Sequence, residues 1–201
     1  MRTPGSRRDT TWPTIRDAAI ELIYEHGYES MNTRQLAELV EMKSGSLYYY
    51  FSSKEELLNR LVTEVIQEII EDLEERLVDV ESGLDRLDIF VSGLVEWHVT
   101  RYKETHIALM ETRSLSGERL EDYRQARDHY DRLLGEIIAR CQREGSIVDE
   151  PASLIRLSIL TMITGITNWF RPSGKASPDE LRRFYVEGVR RFVGAPKGED
   201  R

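Results

Sequence analysis

Cysteine is nearly absent: Cys141 is the one copy in 201 residues. No intrachain disulfide framework or multi-cysteine zinc site can be built from it, and such usage fits a reducing compartment. Long apolar runs are missing too. The longest weakly charged stretch, Leu157 to Phe170, falls short of the roughly 20 residues a spanning helix needs and carries Ser158, Thr161, Thr164, Thr167 and Asn168. Basic residues around Arg2, Arg7 and Arg8 have no apolar segment behind them, so the N-terminus does not read as a secretory signal and a cytoplasmic location is expected. Alternating strand patterns bounded by turns are lacking. Catalytic signatures are lacking as well, with no His-Glu-x-x-His, phosphate loop, glycine-rich nucleotide turn or nucleophile elbow, and no cofactor is expected. Positive charge is in deficit: 28 Lys and Arg stand against 36 Asp and Glu, a net charge of −8. That balance opposes indiscriminate binding to nucleic acid.

What the sequence does have is helical periodicity from end to end, which predicts an all-α chain of about nine helices. Thr10 or Thr11 before Trp12-Pro13 opens the first, with Ile15, Ala18, Ala19, Leu22 and Ile23 as its apolar stripe and Gly27 at its end. Asn32 caps a second helix to about Val40, with Gln35 reaching back; a third spans Ser44 to Phe51. Ser53 and Glu56 start a long fourth helix, in which Leu57, Leu58, Leu61, Val62, Val65, Ile66, Ile69, Ile70, Leu73 and Leu77 repeat to about Val80. Further helices are expected at about 84–102, 104–114, 118–144, 151–170 and 178–193. The last has the sharpest start, Ser177-Pro178-Asp179-Glu180.

Three short helices with a tight turn between the second and third fit a helix-turn-helix, whose last helix enters the DNA major groove. Small Ser44, Gly45 and Ser46 at the start of that helix let the backbone approach DNA, and free N–H groups there favour a phosphate. Leu47, Tyr50 and Phe51 are expected inward. Tyr48 and Tyr49 can set a hydroxyl on phosphate or a ring edge on a thymine methyl.

The stretch Thr33-Arg-Gln-Leu-Ala-Glu-Leu-Val-Glu-Met-Lys-Ser-Gly-Ser-Leu-Tyr-Tyr-Tyr-Phe-Ser-Ser-Lys-Glu-Glu-Leu57, preceded by Ala18-Ala19, Leu22 and Glu25-His26-Gly27-Tyr28, resembles the DNA-binding region of TetR-family transcriptional regulators. The resemblance covers about 50 residues. It implies a DNA-binding domain over 1–53 with an N-terminal arm, followed by an effector-binding and dimerisation domain over 54–201. It also implies phosphate contacts from Thr33 and Lys54, a groove-facing Tyr49 and Lys43, and Gly45 and Ser46 lying against the groove; Arg34 is a further candidate. Two positions depart from the family pattern: Glu41 stands where glycine is usual and Lys43 where a small capping residue is usual. Arg2, Arg7 and Arg8 form either a DNA-binding arm or a solvated tail.

In the larger part, Leu154, Leu157, Leu160, Met162, Ile163 and Ile166 on one helix and Leu181, Phe184, Tyr185, Val189 and Phe192 on another predict a homodimer through helices 151–170 and 178–193, its two-fold symmetry matching a palindromic operator. The junction Asn168 to Leu181 is similar to that of TetR-family regulators of fatty-acid or steroid catabolism, which respond to acyl-CoA thioesters. Arg171 and Lys175 beside Trp169 suit an anionic nucleotide, and a plain hairpin turn with a buried Trp is the other reading. Between 84 and 144, Trp97, His98, Arg101, Tyr102, His106, Met110, Arg113 and Tyr123 mix aromatic, flexible and basic groups as a pocket for a large amphipathic ligand requires, and Trp97, Arg101, Tyr102, Met110 and Tyr123 are the candidate effector contacts. The expected function is a ligand-responsive repressor. A helical acyl-CoA or small-molecule binder without operator recognition is the alternative, and a helical enzyme a third class. Residues 1–60 hold eight basic and nine acidic residues, so the remainder carries −7 of the −8. Near-neutral DNA-binding residues must rely on a few positioned cations, hydroxyls and backbone N–H groups.

Overall fold

A computed structural model of the chain describes residues 7–196, the side chains from residue 11 onward. Its described residues form ten α-helices and one 3-10 turn, with no strand. Helix α1, Arg7–His26, buries Ile15, Ala19, Leu22 and Ile23 and stops at Gly27, whose φ of 79° suits a residue without a Cβ. It starts before the expected Thr10, so Pro13 lies inside the helix rather than in its first turn, forgoing one ladder hydrogen bond. The arm expected from Arg2, Arg7 and Arg8 lies outside the described side chains.

Helix α2, Thr33–Leu39, is capped by Asn32, whose side chain accepts from the Gln35 N–H at 2.9 Å. In α3, Ser44–Leu47, the sequence pattern over-extends: Tyr48 to Tyr50 form a turn because Tyr49 N–H and Tyr50 N–H donate to the carbonyls of Ser46 and Leu47 in the tighter i to i+3 pattern. The α2–α3 turn has a left-handed residue at Glu41, φ 53°, the position where the family resemblance leads one to expect glycine. Its geometry survives the substitution at some backbone strain, closed by Met42 N–H on the Ala37 carbonyl at 2.8 Å.

Helix α4, Lys54–Arg76, begins at the Ser53 cap and buries nine apolar residues from Leu57 to Leu73. Glu56 reaches back to the Ser52 backbone N–H at 2.7 Å rather than to the cap residue itself. The helix ends a turn before the expected Val80, where Asp79 adopts φ 59°. Helix α5, Gly83–Thr100, breaks at Arg101 into α6, Tyr102–Met110, which tightens into the 3-10 turn Glu111–Ser114. Helix α7 spans Gly117–Arg143.

The helix expected over 151–170 is two, α8, Ala152–Thr164, and α9, Ile166–Trp169, divided at Gly165. Helix α10, Pro178–Phe192, has the full capping box: Glu180 accepts from the Ser177 N–H at 2.8 Å and donates its own N–H to the Ser177 hydroxyl at 3.3 Å.

One continuous core runs through all of these from Ile15 to Val193, with α4 packed among α5, α6 and α7. Cys141 is fully buried there. At Gly83 α5 comes close to the end of α7: a Cβ there would sit 2.7 Å from the Glu144 carboxylate and 3.0 Å from the Cys141 backbone nitrogen. Gly83→Ala is therefore expected to cost about 1–3 kcal/mol of stability, read as a lowered urea midpoint with an unchanged slope. An unchanged midpoint would show that the two helices part without strain.

Candidate nucleic-acid interface and ligand cavity

The residues expected to meet DNA lie on α2, α3 and the turns around them. Leu47 and Phe51 anchor the segment in the core, and Tyr50 is half-buried against it. With those residues held inward, Tyr48 and Tyr49 are thrown out, Tyr49 to 75% exposure. Lys43, Ser44 and Gly45 are exposed and Thr33 and Ser46 half-buried. Lys43 is the N-cap of α3; its exposed side chain has only donors and so makes no cap bond to the helix N–H groups. Arg34 is exposed and paired along its own helix with Glu38 at 3.2 Å, an interaction worth little in water.

Lys54 stands apart from these. Its ammonium donates to the Glu29 carbonyl at 2.9 Å and lies 4.4 Å from the centre of the Tyr28 ring, pinning the start of α4 to the turn after α1. An ammonium has three N–H donors, so this bond leaves others for a phosphate.

This unit is fastened to the remaining helices by charged and aromatic contacts. Glu68 on α4 binds Arg16 of α1 and, at 2.6 Å, Arg101 at the α5–α6 break. Trp12 donates to Glu64 at 3.1 Å, and Lys103 pairs with Glu21. Tyr24 packs edge-on against both Tyr102 and His106 of α6. Near the DNA-facing end, Glu55 accepts from the Ser116 hydroxyl and backbone N–H and from Arg119; the two Ser116 bonds hold its carboxyl below the usual range.

Inside the remaining helices is a small cavity of about 30 Å³. Its apolar wall is Ile66, Ile69, Leu94, Ala108 and Leu109, and its polar side is His98, Thr105, Arg127, Tyr130 and Thr164. His98 is buried and neither ring nitrogen has a partner. Desolvation, with the Arg127 charge as a smaller influence, pushes its pKa down to about 4, so the ring is neutral at physiological pH. Burial likewise raises the Tyr130 hydroxyl far above its ordinary value.

Of the pocket candidates expected between 84 and 144, His98 lines this cavity; Trp97, Arg101, Tyr102, Met110 and Tyr123 do not, nor do Trp169 and Arg171. Trp97 donates to Asp72 at 2.8 Å under the Arg101 guanidinium, and Arg101 is held by Glu68 and Glu104. Tyr102 packs between Tyr24 and Phe170, Tyr123 donates to the Ala108 carbonyl at 3.4 Å, and Met110 ends α6 half-buried. Trp169 is half exposed rather than buried in a hairpin, and Arg171 donates to the neighbouring Phe170 carbonyl at 2.7 Å. His98 stands in the sequence as a lone histidine among Leu94, Val95, Trp97 and Val99, and composition does not separate a cavity-facing histidine from a satisfied one.

The apolar faces of α8 and α10 divide. Leu160, Ile163, Ile166, Leu181 and Val189 are buried within the monomer, while Leu154, Leu157, Trp169, Phe184 and Phe192 are exposed. On α10, Arg190 pairs with Asp88 and Arg182 with Glu96, clamping the opposite side to α5. Phe184, Gly188 and Phe192 thus form an outward stripe one turn apart.

No described helix is long and apolar enough to cross a membrane, and no described cluster of His, Cys, Asp or Glu suits a metal ion. Residues 15–61 match the family of bacterial regulatory proteins, tetR family, and residues 80–193 match the tetracyclin repressor-like C-terminal domain. The chain belongs to the TetR family; it is a DNA-binding regulator and not an enzyme.

A tetR-family regulatory protein from Rhodococcus RHA1 superposes with a TM-score of 0.87 at 25% identity, covering 96% of this chain and all of that one. AibR, solved in complex with isovaleryl coenzyme A and operator DNA, superposes with a TM-score of 0.81 at 25% identity, covering 89% of this chain and 97% of AibR. The transcriptional repressor KstR2 of Mycolicibacterium smegmatis is 23% identical over 198 residues, 98% of this chain and 95% of KstR2. A fatty acid metabolism regulator protein of Bacillus subtilis is 32% identical over 78 residues, only 40% of its length.

Proposed function

We infer that this chain is a cytoplasmic, homodimeric repressor that leaves a palindromic operator when a small-molecule effector, an acyl-CoA thioester, binds among its C-terminal helices. The observation that carries the reading is the pairing of the outward-turned Tyr48 and Tyr49, beside exposed Lys43, Ser44 and Gly45, with a separate core cavity on one TetR-type chain. Its likeness to AibR over 89% of its length supplies the ligand class. The functional division is 1–53 for DNA and 54–201 for effector and dimer contacts, with α4 continuous between core and DNA-facing helices. Thr33, Arg34, Lys43, Ser44, Gly45, Ser46, Tyr48, Tyr49 and Lys54 form the DNA surface. Trp97, Arg101, Tyr102, Met110, Tyr123, Trp169 and Arg171 belong to the effector half, and the geometry above favours structural roles for Trp97 and Arg101.

Coupling runs through α6, which turns Thr105, Ala108 and Leu109 to the cavity and Tyr102 and His106 to Tyr24 of α1. An effector that shifts α6 moves the DNA-binding helices with it. Linkage makes the effect mutual: operator DNA weakens effector binding by the same factor, on the order of 1–3 kcal/mol.

Tyr49→Ala combined with Lys54→Ala is expected to lower operator affinity at least about tenfold in fluorescence anisotropy, since each lost contact is worth roughly 1–3 kcal/mol and recurs in both subunits. Circular dichroism melting checks that loss of the Lys54–Glu29 bond leaves the fold intact. Undiminished affinity would remove the Ser44–Tyr50 segment from the interface.

A further inference from the structure

We propose that the cavity between α4, α5, α6 and α7 seats the carbonyl oxygen of a small acyl group, with the His98 imidazole donating to it, so that His98 sets which effectors this chain accepts. The inference rests on the ligand-responsive reading above and adds to it a residue, an atom and a size class. Three observations converge on His98.

First, its side chain is almost wholly enclosed, yet neither Nδ1 nor Nε2 has a partner in the protein. Buried polar atoms are rarely left so, and in a native fold such an atom faces a water or a ligand. Second, it borders a cavity among the described helices that has both an apolar wall and a polar end. Third, that end is positive in character: the Arg127 guanidinium lines the same space, 5.2 Å from the centre of the Tyr130 ring, and its ion pair with Asp131 is long at 3.6 Å. A cationic wall beside a neutral donor favours an oxygen acceptor. A neutral imidazole offers one N–H and one bare nitrogen, which suits an acyl oxygen on one side and a water on the other.

The volume bounds the ligand. About 30 Å³ holds roughly two waters, so without an effector the space suits solvent bound to His98. Half-buried Leu109, at the edge of the cavity, can yield to a few carbon atoms, whereas Leu94, Ile66 and Ile69 are locked into the core. A short acyl group fits this arrangement and a long straight chain does not. The oxygen has two possible sources, a free carboxylate or a coenzyme A thioester.

The test uses full-length protein and its operator. Calorimetry with isovalerate, isovaleryl-CoA and palmitoyl-CoA is run on the wild type, His98→Leu and His98→Gln, with operator release followed by anisotropy. The expected result is that isovaleryl-CoA or isovalerate binds at least tenfold tighter than palmitoyl-CoA, that His98→Leu loses tenfold or more of that affinity, and that His98→Gln, which keeps an N–H donor, recovers most of it. The 15N resonances of the His98 ring shift on binding only if the imidazole meets the ligand, a readout that a merely structural role would not move. The two short probes decide between carboxylate and thioester.

Equal binding by wild type and His98→Leu, with operator still released, would mean that His98 faces water only; it would overturn this inference and leave the regulator reading intact. Tighter binding of palmitoyl-CoA would overturn the size class. If no probe binds, the acyl site is refuted; failure of the wild type to bind operator DNA would instead strike the regulator reading itself.

Discussion

A protein carrying Leu157→Asp and Phe184→Asp is expected to be folded, monomeric and at least about a hundredfold weaker on its operator. The argument begins with what these side chains touch in one copy of the chain, which is little: Leu157 is 52% exposed and Phe184 70%. Replacing them removes almost no packing from the monomer, whose own contacts run through Leu160, Ile163, Leu181 and Val189 on the inner sides of the same helices. Leu154, Trp169 and Phe192 extend the exposed apolar surface, a combination unusual on a monomer and typical of an interface. On α10 the absence of a side chain at Gly188, between Phe184 and Phe192, lets a partner helix come close.

Two aspartates per subunit bring four charges into a two-fold interface, where desolvation and mutual repulsion oppose association. The penalty on DNA binding is larger than the loss of any single contact. A dimer binds its second half-site at high effective concentration, and a monomer forfeits that gain, which commonly spans about 10²–10⁴ in affinity. Sedimentation velocity and anisotropy on the same sample read both effects. A variant that stays dimeric would assign the interface to other helices.

The second large effect is on acid stability. His98 is neutral in the folded protein down to about pH 4, whereas an unfolded chain takes up the proton near 6.5. As pH falls from 6.5 towards 4 the unfolded state binds the extra proton and the folded state does not, so stability contributed by neutral His98 is present above pH 6.5 and lost across that window. The full loss corresponds to about 3 kcal/mol. Many carboxylates also titrate in acid, so the informative quantity is the difference between wild type and His98→Gln, whose side chain carries no titrating group. Urea unfolding at pH 7.5 and pH 4.5, which spans most of that window, should show the variant losing about 2.5 kcal/mol less than the wild type. Parallel losses in the two proteins would mean that His98 is solvated enough to protonate freely.

Both predictions concern residues whose roles differ in how far the linear chain reveals them. Phe184 and Phe192 were legible as part of an apolar helix face, because their spacing on a helix from Ser177-Pro178 is unambiguous. That face is nevertheless wider than one contact surface, and position along the helix does not say which edge meets α5. Arg190 with Asp88 and Arg182 with Glu96 decide it, pairs separated by 102 and 86 residues. The DNA-binding segment was more legible. Its residues form a contiguous motif whose local signals, the Asn32 and Ser53 caps and the inward Leu47 and Phe51, act within one or two turns.

The points at which the structure departs from helical periodicity follow the same division. Tyr48 to Tyr50 leave the helix because the chain must turn into Ser53, and Gly165 divides what periodicity reads as one helix. The candidate effector residues stand out by chemical type, which does not say what each one meets in the fold. Trp97 is spent on Asp72, and Arg101 on Glu68 and Glu104.

The sequence by itself determined the all-helical class, most helix starts and the DNA-binding motif, because caps, glycine stops and apolar spacing are local, and each acts over a few residues. Only the tertiary structure decided that α6 touches both the cavity and α1, that Glu68 joins Arg16 to Arg101, and that His98 is buried without a partner. Each of these depends on helices far apart in the chain, and burial and hydrogen-bond satisfaction are properties of the packed assembly of helices rather than of any one of them.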